Sequence, residues 1–209
     1  MKRLTLLLTA ALLVVAADTA DAQKLHIGGR GGATIGTADT QGSLFAEDVG
    51  TRTAYHFGIL GQVDISSWFA LQTEIWYTNK GFSEGNGDVA LDINYFEIPV
   101  LAVVKLSTTL SPHLYAGPVL SIESKCKVTF EGETETCEEA REGAPRTKGA
   151  DSGLMFGGGI AFQFGPGSLL LDAMYYHGLT DISENSDEID SIKTRTFYLS
   201  AGYMFPIGS

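Results

Sequence analysis

The chain has 209 residues, with 14 basic and 25 acidic side chains and a formal net charge of −11. This length is typical of a single domain. An acidic chain with no basic cluster argues against nucleic-acid binding. Glycine is abundant, with 25 residues, and strong helix signals are missing after Ala22. The composition therefore favours an all-β fold.

The N-terminus has the pattern of an export signal. Two basic residues near the start precede an apolar run at 4–17 and an Ala-x-Ala site ending at Ala22. These features predict a secretory signal peptide over 1–22 and a mature domain over 23–209. The alternative is an N-terminal anchor helix, for which a run of about 14 residues is short.

Eight segments alternate apolar and polar residues with a period of two, which is typical of β-strands. Their connections alternate between long and short, the longest being 125–152, as in outer-membrane barrels with periplasmic turns and external loops. The sequence therefore predicts an all-β protein: an eight-stranded antiparallel up-and-down transmembrane β-barrel. Pro118 cannot donate to a β-ladder, which predicts a bulge or disturbed register there. The segments are 25–34, 53–65, 68–80, 94–106, 113–124, 153–164, 169–179 and 194–207.

The segment 94–106 shows this alternation most clearly. One row contains a carboxylate, Glu97, and an ammonium group, Lys105, and the other is apolar. The length suits a tilted membrane strand, which needs about 9–11 residues. A charge that faces lipid is costly, so we expect Glu97 and Lys105 to face the lumen. The apolar row is Phe96, Ile98, Val100, Ala102, Val104 and Leu106.

The same strand carries a family resemblance. Residues 95–105 read YFEIPVLAVVK, which resembles the Y-x-E-I-P-x-L…K strand of PorT-like outer-membrane barrel proteins. The resemblance implies a signal peptide, about eight antiparallel strands and no assigned chemistry. The last strand is similar to the C-terminal signal read by the outer-membrane assembly machinery, which is therefore an expected partner. Its matching residues are Ser200, Gly202, Phe205 and Ile207.

Alternation alone leaves open which face of the barrel meets lipid. A soluble, lipocalin-like barrel that binds an apolar ligand would bury the apolar row. The polar row is rich in glycine, which is unfavourable in a solvated strand and suits a crowded lumen. Aromatic side chains fall near the strand ends, where they favour membrane interfaces. We therefore predict a barrel surrounded by outer-membrane lipid.

A lumen of this size must neutralise the charges that it buries. We expect Arg30 and Lys105 to pair with some of Glu74, Glu97 and Asp172. The network can be a structural plug, the usual condition of an eight-stranded barrel, or it can line a narrow ion path. The barrel size favours the plug. His26, His56 and His113 are expected to form hydrogen bonds in the lumen.

Cys126 and Cys137 lie in the longest predicted loop of an exported chain, which predicts a disulfide. The alternatives are two free thiols or half a metal site, although no C-x-x-C motif or neighbouring histidine is present. The acidic run at 131–142 is interpreted as a solvated loop and not as a calcium site. The same interpretation holds for Glu184, Asp187, Glu188 and Asp190. No metal or cofactor is predicted.

His177 lies near Asp172 and Ser183 in sequence and close to the predicted external rim, which makes it a candidate for catalysis. No spacing requires this role, and the neighbouring Tyr175 and Tyr176 are better interpreted as interface anchors. We expect no enzymatic activity and no catalytic residues. The predicted function is a structural or surface-interaction role through the external loops. A narrow channel for small solutes is the alternative.

Overall fold

The computed structural model describes residues 24–42, 49–84, 89–106, 110–130, 133–137, 146–147, 149–184 and 189–208. The predicted signal peptide lies outside these residues. Three short strands are β6 (Glu133–Thr136), β7 (Arg146–Thr147) and β10 (Ser183–Glu184). The eight long strands are β1 (Leu25–Gly42), β2 (Val49–Asp64), β3 (Phe69–Glu84), β4 (Val89–Lys105), β5 (Pro112–Phe130), β8 (Ala150–Phe164), β9 (Gly167–Gly178) and β11 (Ile189–Ile207).

The eight long strands close into a barrel. Each pairs antiparallel with the next long strand, and β11 returns to pair with β1 from Leu25 opposite Ile207 to Gly42 opposite Ile189. Closure satisfies the backbone hydrogen bonds of both outer strands. The predicted eight-stranded antiparallel barrel is confirmed. Among the described residues, no helix is long and apolar enough to cross a membrane.

The two ends of the barrel differ. The short connections at 65–68, 106–111 and 165–166 lie at the same end as Leu25 and Ile207. Outer-membrane barrels place short turns and both termini on the periplasmic side. This end is therefore the periplasmic end, and β6, β7 and β10 lie toward the external end.

Several strands run farther at the external end than the alternation predicted. β1 continues to Gly42 beyond residue 34, and β5 continues to Phe130 beyond residue 124. In these extensions the inward side chains, such as Ala38 and Val128, are apolar and buried. The long loops are shorter than predicted, so their predicted extent is wrong. The reason is that apolar side chains point outward within the lipid but inward where the strands leave it.

The register disturbance predicted at Pro118 is also wrong. The β4–β5 register is the same for Pro99 opposite Val119 and for Ala102 opposite Ala116. Proline cannot donate a backbone hydrogen bond, and the ladder omits the two rungs between these pairs. The bulge in this ladder lies farther toward the external end.

The faces of the strands are those predicted. The outward row is apolar and open to the surroundings, with Ile59 66% and Leu114 68% exposed. The inward row of β4, including Glu97 and Leu101, is buried. A soluble barrel with the apolar row inside is therefore excluded, because the apolar row forms the outer surface that lipid covers.

Buried apolar side chains form three clusters along the barrel axis. The first, near the periplasmic end, contains Leu60, Leu170 and Met204. The second fills the middle and is dominated by large side chains such as Trp76 and Tyr198. The third closes the external end with Phe82, Leu91, Ile93, Tyr95, Cys126, Val128, Cys137, Ile182 and Ile192. The lumen is therefore packed at every level.

Gly117 shows how closely the strands approach, and it provides a stability test. A Cβ atom at this position would overlap the carbonyl oxygen of Val100 on β4, whereas a Cβ at Gly61 would meet nothing within 4 Å. We expect Gly117→Ala to lower the free energy of unfolding by about 1–3 kcal/mol, as overpacked sites do. Gly61→Ala serves as the matched control and should stay near wild type. Urea unfolding in lipid vesicles measures both, and equal midpoints would contradict the close approach.

Candidate functional site

Arg30 organises a charged layer in the periplasmic half of the lumen. Its Nε lies 3.2 Å from Glu74 Oε2 and its Nη1 lies 3.2 Å from Asp172 Oδ2, and all three side chains are buried. The indole N–H of Trp76 also donates to Glu74. His113 Nε2 is 2.7 Å from the other oxygen of Asp172. One guanidinium thus bridges two carboxylates from opposite sides of the barrel.

Glu97 organises a second layer closer to the external end. Its carboxylate forms an ion pair with Lys80 and accepts hydrogen bonds from Thr78 (3.0 Å), Ser121 (2.8 Å) and Tyr198 (2.9 Å). Four donors on three strands, β3, β5 and β11, therefore satisfy one fully buried carboxylate. This degree of satisfaction is what a buried charge requires.

The Lys80 ammonium group has aromatic as well as acidic neighbours. Its Nζ lies 3.6 Å from the centre of the Tyr176 ring and 5.3 Å from that of Tyr95, within cation–π range. A further buried carboxylate, Asp151, accepts a hydrogen bond of 2.6 Å from Thr194 near this layer. The external layer thus contains one cation and two carboxylates, as does the Arg30 layer.

Three rings pack between the two charged layers. His56 lies 5.1 Å from both Trp76 and Tyr198, and Trp76 lies 5.4 Å from Tyr198. His56 Nε2 also forms a 2.7 Å hydrogen bond with Ser200. All four side chains are buried, so the serine–histidine contact is structural and His56 has its expected role inside the lumen.

The predicted charge network is divided between these layers. Arg30, Glu74 and Asp172 meet as expected, but Glu97 lies in the other layer. The expected pairing of Lys105 with one of these carboxylates is wrong, because Lys105 Nζ lies 2.7 Å from Asp64 at the periplasmic rim. Eight strand residues separate Lys105 from Glu97, or roughly 26 Å along the chain. Neither side chain can span that distance.

Lys80, the ion-pair partner of Glu97, is absent from the charge network predicted from the sequence. It stands on β3 in the same inward row as Gln72, Glu74, Trp76 and Thr78. A strict count by two along that strand places its ammonium group inside the lumen. The signal was therefore present in the alternation.

A disulfide joins Cys126 on β5 to Cys137 just after β6, with the two Cα atoms 5.4 Å apart. The predicted pairing is confirmed. Cys137 also donates its backbone N–H to the carbonyl oxygen of Cys126 (3.1 Å), which continues the β5–β6 ladder. Cys137 is buried against the external apolar cluster, to which Ile182 also contributes. The bond therefore fixes the β5–β6 hairpin to the apolar cluster at the external end of the barrel.

The structure does not bring together the residues of the candidate catalytic site. Asp172 faces the lumen, whereas His177 stands in the outward row of β9, with its ring 6.4 Å from that of Tyr175. Ser183 donates its hydroxyl to Asp181. The candidate calcium-binding carboxylate side chains at 184–190 lie outside the described set. Within the described residues, no three His, Cys, Asp or Glu side chains converge as metal ligands.

Comparison with known proteins supports this architecture. Residues 18–184 match the family described as "Outer membrane protein beta-barrel domain". The chain belongs to this outer-membrane β-barrel family. No curated protein sequence matches it. The expected location in the outer membrane follows from family membership together with the closed barrel and its apolar outer surface.

Solved structures with a similar fold are small outer-membrane barrels. AlkL is 14% identical, with a TM-score of 0.53, covering 92% of this chain and 96% of AlkL. Neisserial surface protein A is 17% identical, with a TM-score of 0.48 and coverage of 88% and 97%. Ail of Yersinia pestis is 18% identical, with a TM-score of 0.46 and coverage of 87% and 99%. At these identities the similarity is one of fold.

Breaking the Lys80–Glu97 pair provides a test of the external layer. We expect Glu97→Ala to cost about 3–5 kcal/mol of unfolding free energy, because Lys80 would remain buried without the carboxylate that forms its ion pair. Lys105→Met removes a partly exposed pair at the rim and should cost about 1 kcal/mol or less. Urea titrations in vesicles measure both. Equal losses of unfolding free energy would show that the Lys80–Glu97 pair does not contribute more to stability than the Lys105–Asp64 pair.

Proposed function

We propose that this barrel is a non-enzymatic, non-conducting outer-membrane protein that acts through its external end, as a structural element or by contacting other macromolecules. The observation that supports this function is the filled lumen. Trp76, Tyr198 and Tyr176 are fully buried, and ion pairs above and below them neutralise most of the inward charge. A solute would have to displace large packed side chains at several levels.

The external end is the part available for contact. β6 stands beyond the membrane segment, and its residues are exposed, including Glu133 and Glu135. The Cys126–Cys137 bond reduces the conformational freedom of this hairpin, so less entropy is lost when it binds a partner. The sequence adds further carboxylates at 131–142 and 184–190. We infer that the complementary partner is a basic surface.

The YFEIPVLAVVK strand also supports a finer placement within the family. We propose that the chain is grouped with PorT-like barrels, and that the outer-membrane assembly machinery recognises its last strand. Deleting residues 205–207 should abolish membrane insertion if that strand carries the signal.

Conductance in a planar lipid bilayer tests the closed lumen. We expect the mature protein to give no resolvable channel steps, because the Arg30 and Glu97 layers and the rings between them leave no continuous path. The Cys126→Ser/Cys137→Ser variant should also be silent, since both layers lie beneath the hairpin. A general porin in the same bilayer is the positive control. Reproducible steps from folded protein would favour the narrow channel instead.

Cell-surface binding tests the proposed contact role. Cells that display the barrel are applied to immobilised lysozyme, a basic protein, and to immobilised serum albumin, an acidic one. We expect salt-sensitive retention on lysozyme, reduced several-fold by Glu133→Gln/Glu135→Gln. Asp64→Asn is the matched control, because it removes a carboxylate at the periplasmic rim. Equal retention of both variants, or no preference for lysozyme, would contradict a role for the external carboxylates.

A further inference from the structure

The outer surface of β2, β3 and β4 carries an ordered series of chemical groups. Phe57, Tyr77 and Phe96 stand side by side on these strands, with ring centres 5.6 Å apart in each neighbouring pair. One step closer to the external end, the amides of Asn79 and Asn94 form a hydrogen bond of 2.8 Å. The surface therefore changes from aromatic to amide within two residues along β3 and β4, whereas β2 carries a second exposed ring, Tyr55.

Charged groups follow directly beyond the amides. Arg52 lies 2.7 Å from Asp92, and its side chain crosses β3 at Gly81, where the missing Cβ leaves room for it. Lys127 is paired in register with Asp92, and Lys125 with Asn94, and both lysines are exposed. We call Arg52, Asp92, Lys125 and Lys127 the basic flank. Its three cations and one carboxylate give a local excess of positive charge on an acidic protein.

The acidic hairpin does not neutralise this face. Thr136 and Thr134 of β6 are in register with Lys127 and Thr129 on β5, so they share the outward face. Glu135 is in register with Val128, whose side chain is buried inside the barrel. Its carboxylate therefore belongs to the opposite face of the hairpin. The sheet separates the basic flank from the acidic tip.

An apolar groove lies on the other side of the aromatic rings. Gly29 and Gly31 form part of its floor, and Phe57, Ile59 and Ile75 line one side. These groups are on the lipid-facing surface. A hydrocarbon chain packed in the groove would continue past the rings toward the amides and then the cations.

The height of the basic flank matches the polar part of the membrane. Asp92 is four residues beyond Phe96 on β4, which at about 3.3 Å per residue and a tilt of 45° is roughly 9 Å along the membrane normal. Headgroup regions add about 5–8 Å on each side of the hydrocarbon core. With the ring row near the edge of that core, Lys125, in register with Asn94, lies at headgroup depth, and Lys127, in register with Asp92, lies at the outer edge of the headgroup region.

We propose that the basic flank binds the phosphorylated headgroup of a lipid in the external leaflet, with the acyl chains of that lipid packed along the groove below. Phosphate oxygens accept hydrogen bonds from Arg52, Lys125 and Lys127, and the amide pair contacts the polar linkage between phosphate and acyl chain. This inference is independent of the proposed contact role, because it uses the outer wall and not the hairpin tip.

The test is retention of a defined phosphorylated lipid. The mature protein is folded into phosphatidylcholine vesicles with and without lipid A, a diphosphorylated glycolipid, and lipid A per barrel is counted by native mass spectrometry. We expect Lys125→Gln/Lys127→Gln to reduce retention about 30-fold, given a contribution of about 1 kcal/mol for each basic residue near an anionic headgroup. Lys24→Gln, an exposed lysine at the periplasmic end, is the matched control and should retain lipid A like wild type.

Three further arms decide the interpretation. Lys125→Arg/Lys127→Arg preserves the charge and should restore retention, which distinguishes lost charge from disturbed folding. High salt should weaken binding by wild type more than by the glutamine variant. Inorganic phosphate added to pure phosphatidylcholine vesicles should leave the thermal midpoint unchanged, whereas lipid A should raise it. Equal retention by wild type and the glutamine variant would overturn the proposal, as would an equal loss in Lys24→Gln or equal stabilisation by free phosphate.

Discussion

Closure of β1 on β11 is the constraint on which the rest of the structure depends. In lipid, each unsatisfied backbone N–H or C=O costs several kcal/mol, so a sheet with open edges cannot cross the membrane. The pairing of β1 with β11, in one register from Leu25 opposite Ile207 to Gln41 opposite Ser191, removes both edges. It also fixes the faces of every strand, because a shift by one residue would exchange inward and outward side chains. Lumen chemistry and outer surface are therefore determined together.

The inward row must then fill a narrow space and neutralise its charges. Each charged layer uses one cation with two nearby carboxylates: Arg30 with Glu74 and Asp172, and Lys80 with Glu97 and Asp151. Arg30 joins Glu74 on β3 to Asp172 on β9, and the hydrogen bond from Tyr198 to Glu97 joins β11 to β4, so each layer connects opposite walls of the barrel. Ion pairs in such positions add specificity to the closed state, whereas the rings between the layers provide most of the packing.

The sequence predicted the parts of the fold that depend on alternation. Strand number, the closed barrel, the inward row of Glu97 and the disulfide all follow from local patterns. The external strand ends were missed because the apolar side chains there point inward, opposite to the pattern in the membrane. Lys105 was assigned to the wrong partner because alternation gives the face of a residue but not its height along the barrel.

The basic flank could not be predicted from the sequence, for a different reason. Arg52, Asp92 and Lys127 lie on three strands, and only the register brings them to one level. Along the chain each cation stands in an acidic or neutral context, so composition indicates no basic cluster. Sites assembled across a sheet need the strand pairing before they can be recognised.

The inversion of side-chain polarity along single strands has a consequence for how the protein tolerates substitution. Below the aromatic rings, β4 exposes Val100 and Val104 and buries Glu97, whereas above them it buries Leu91 and Ile93. The same strand thus belongs to an inside-out barrel in its periplasmic part and to a conventional, water-facing β-barrel in its external part. In the periplasmic part of β4 a polar residue is tolerated on the inward face, and in the external part it is tolerated on the outward face. The positions of β4 that accept polar substitutions therefore shift from one face to the other near Phe96. The two parts of the barrel therefore follow opposite rules for side-chain polarity, although the same strands and the same backbone hydrogen-bond ladders run through both.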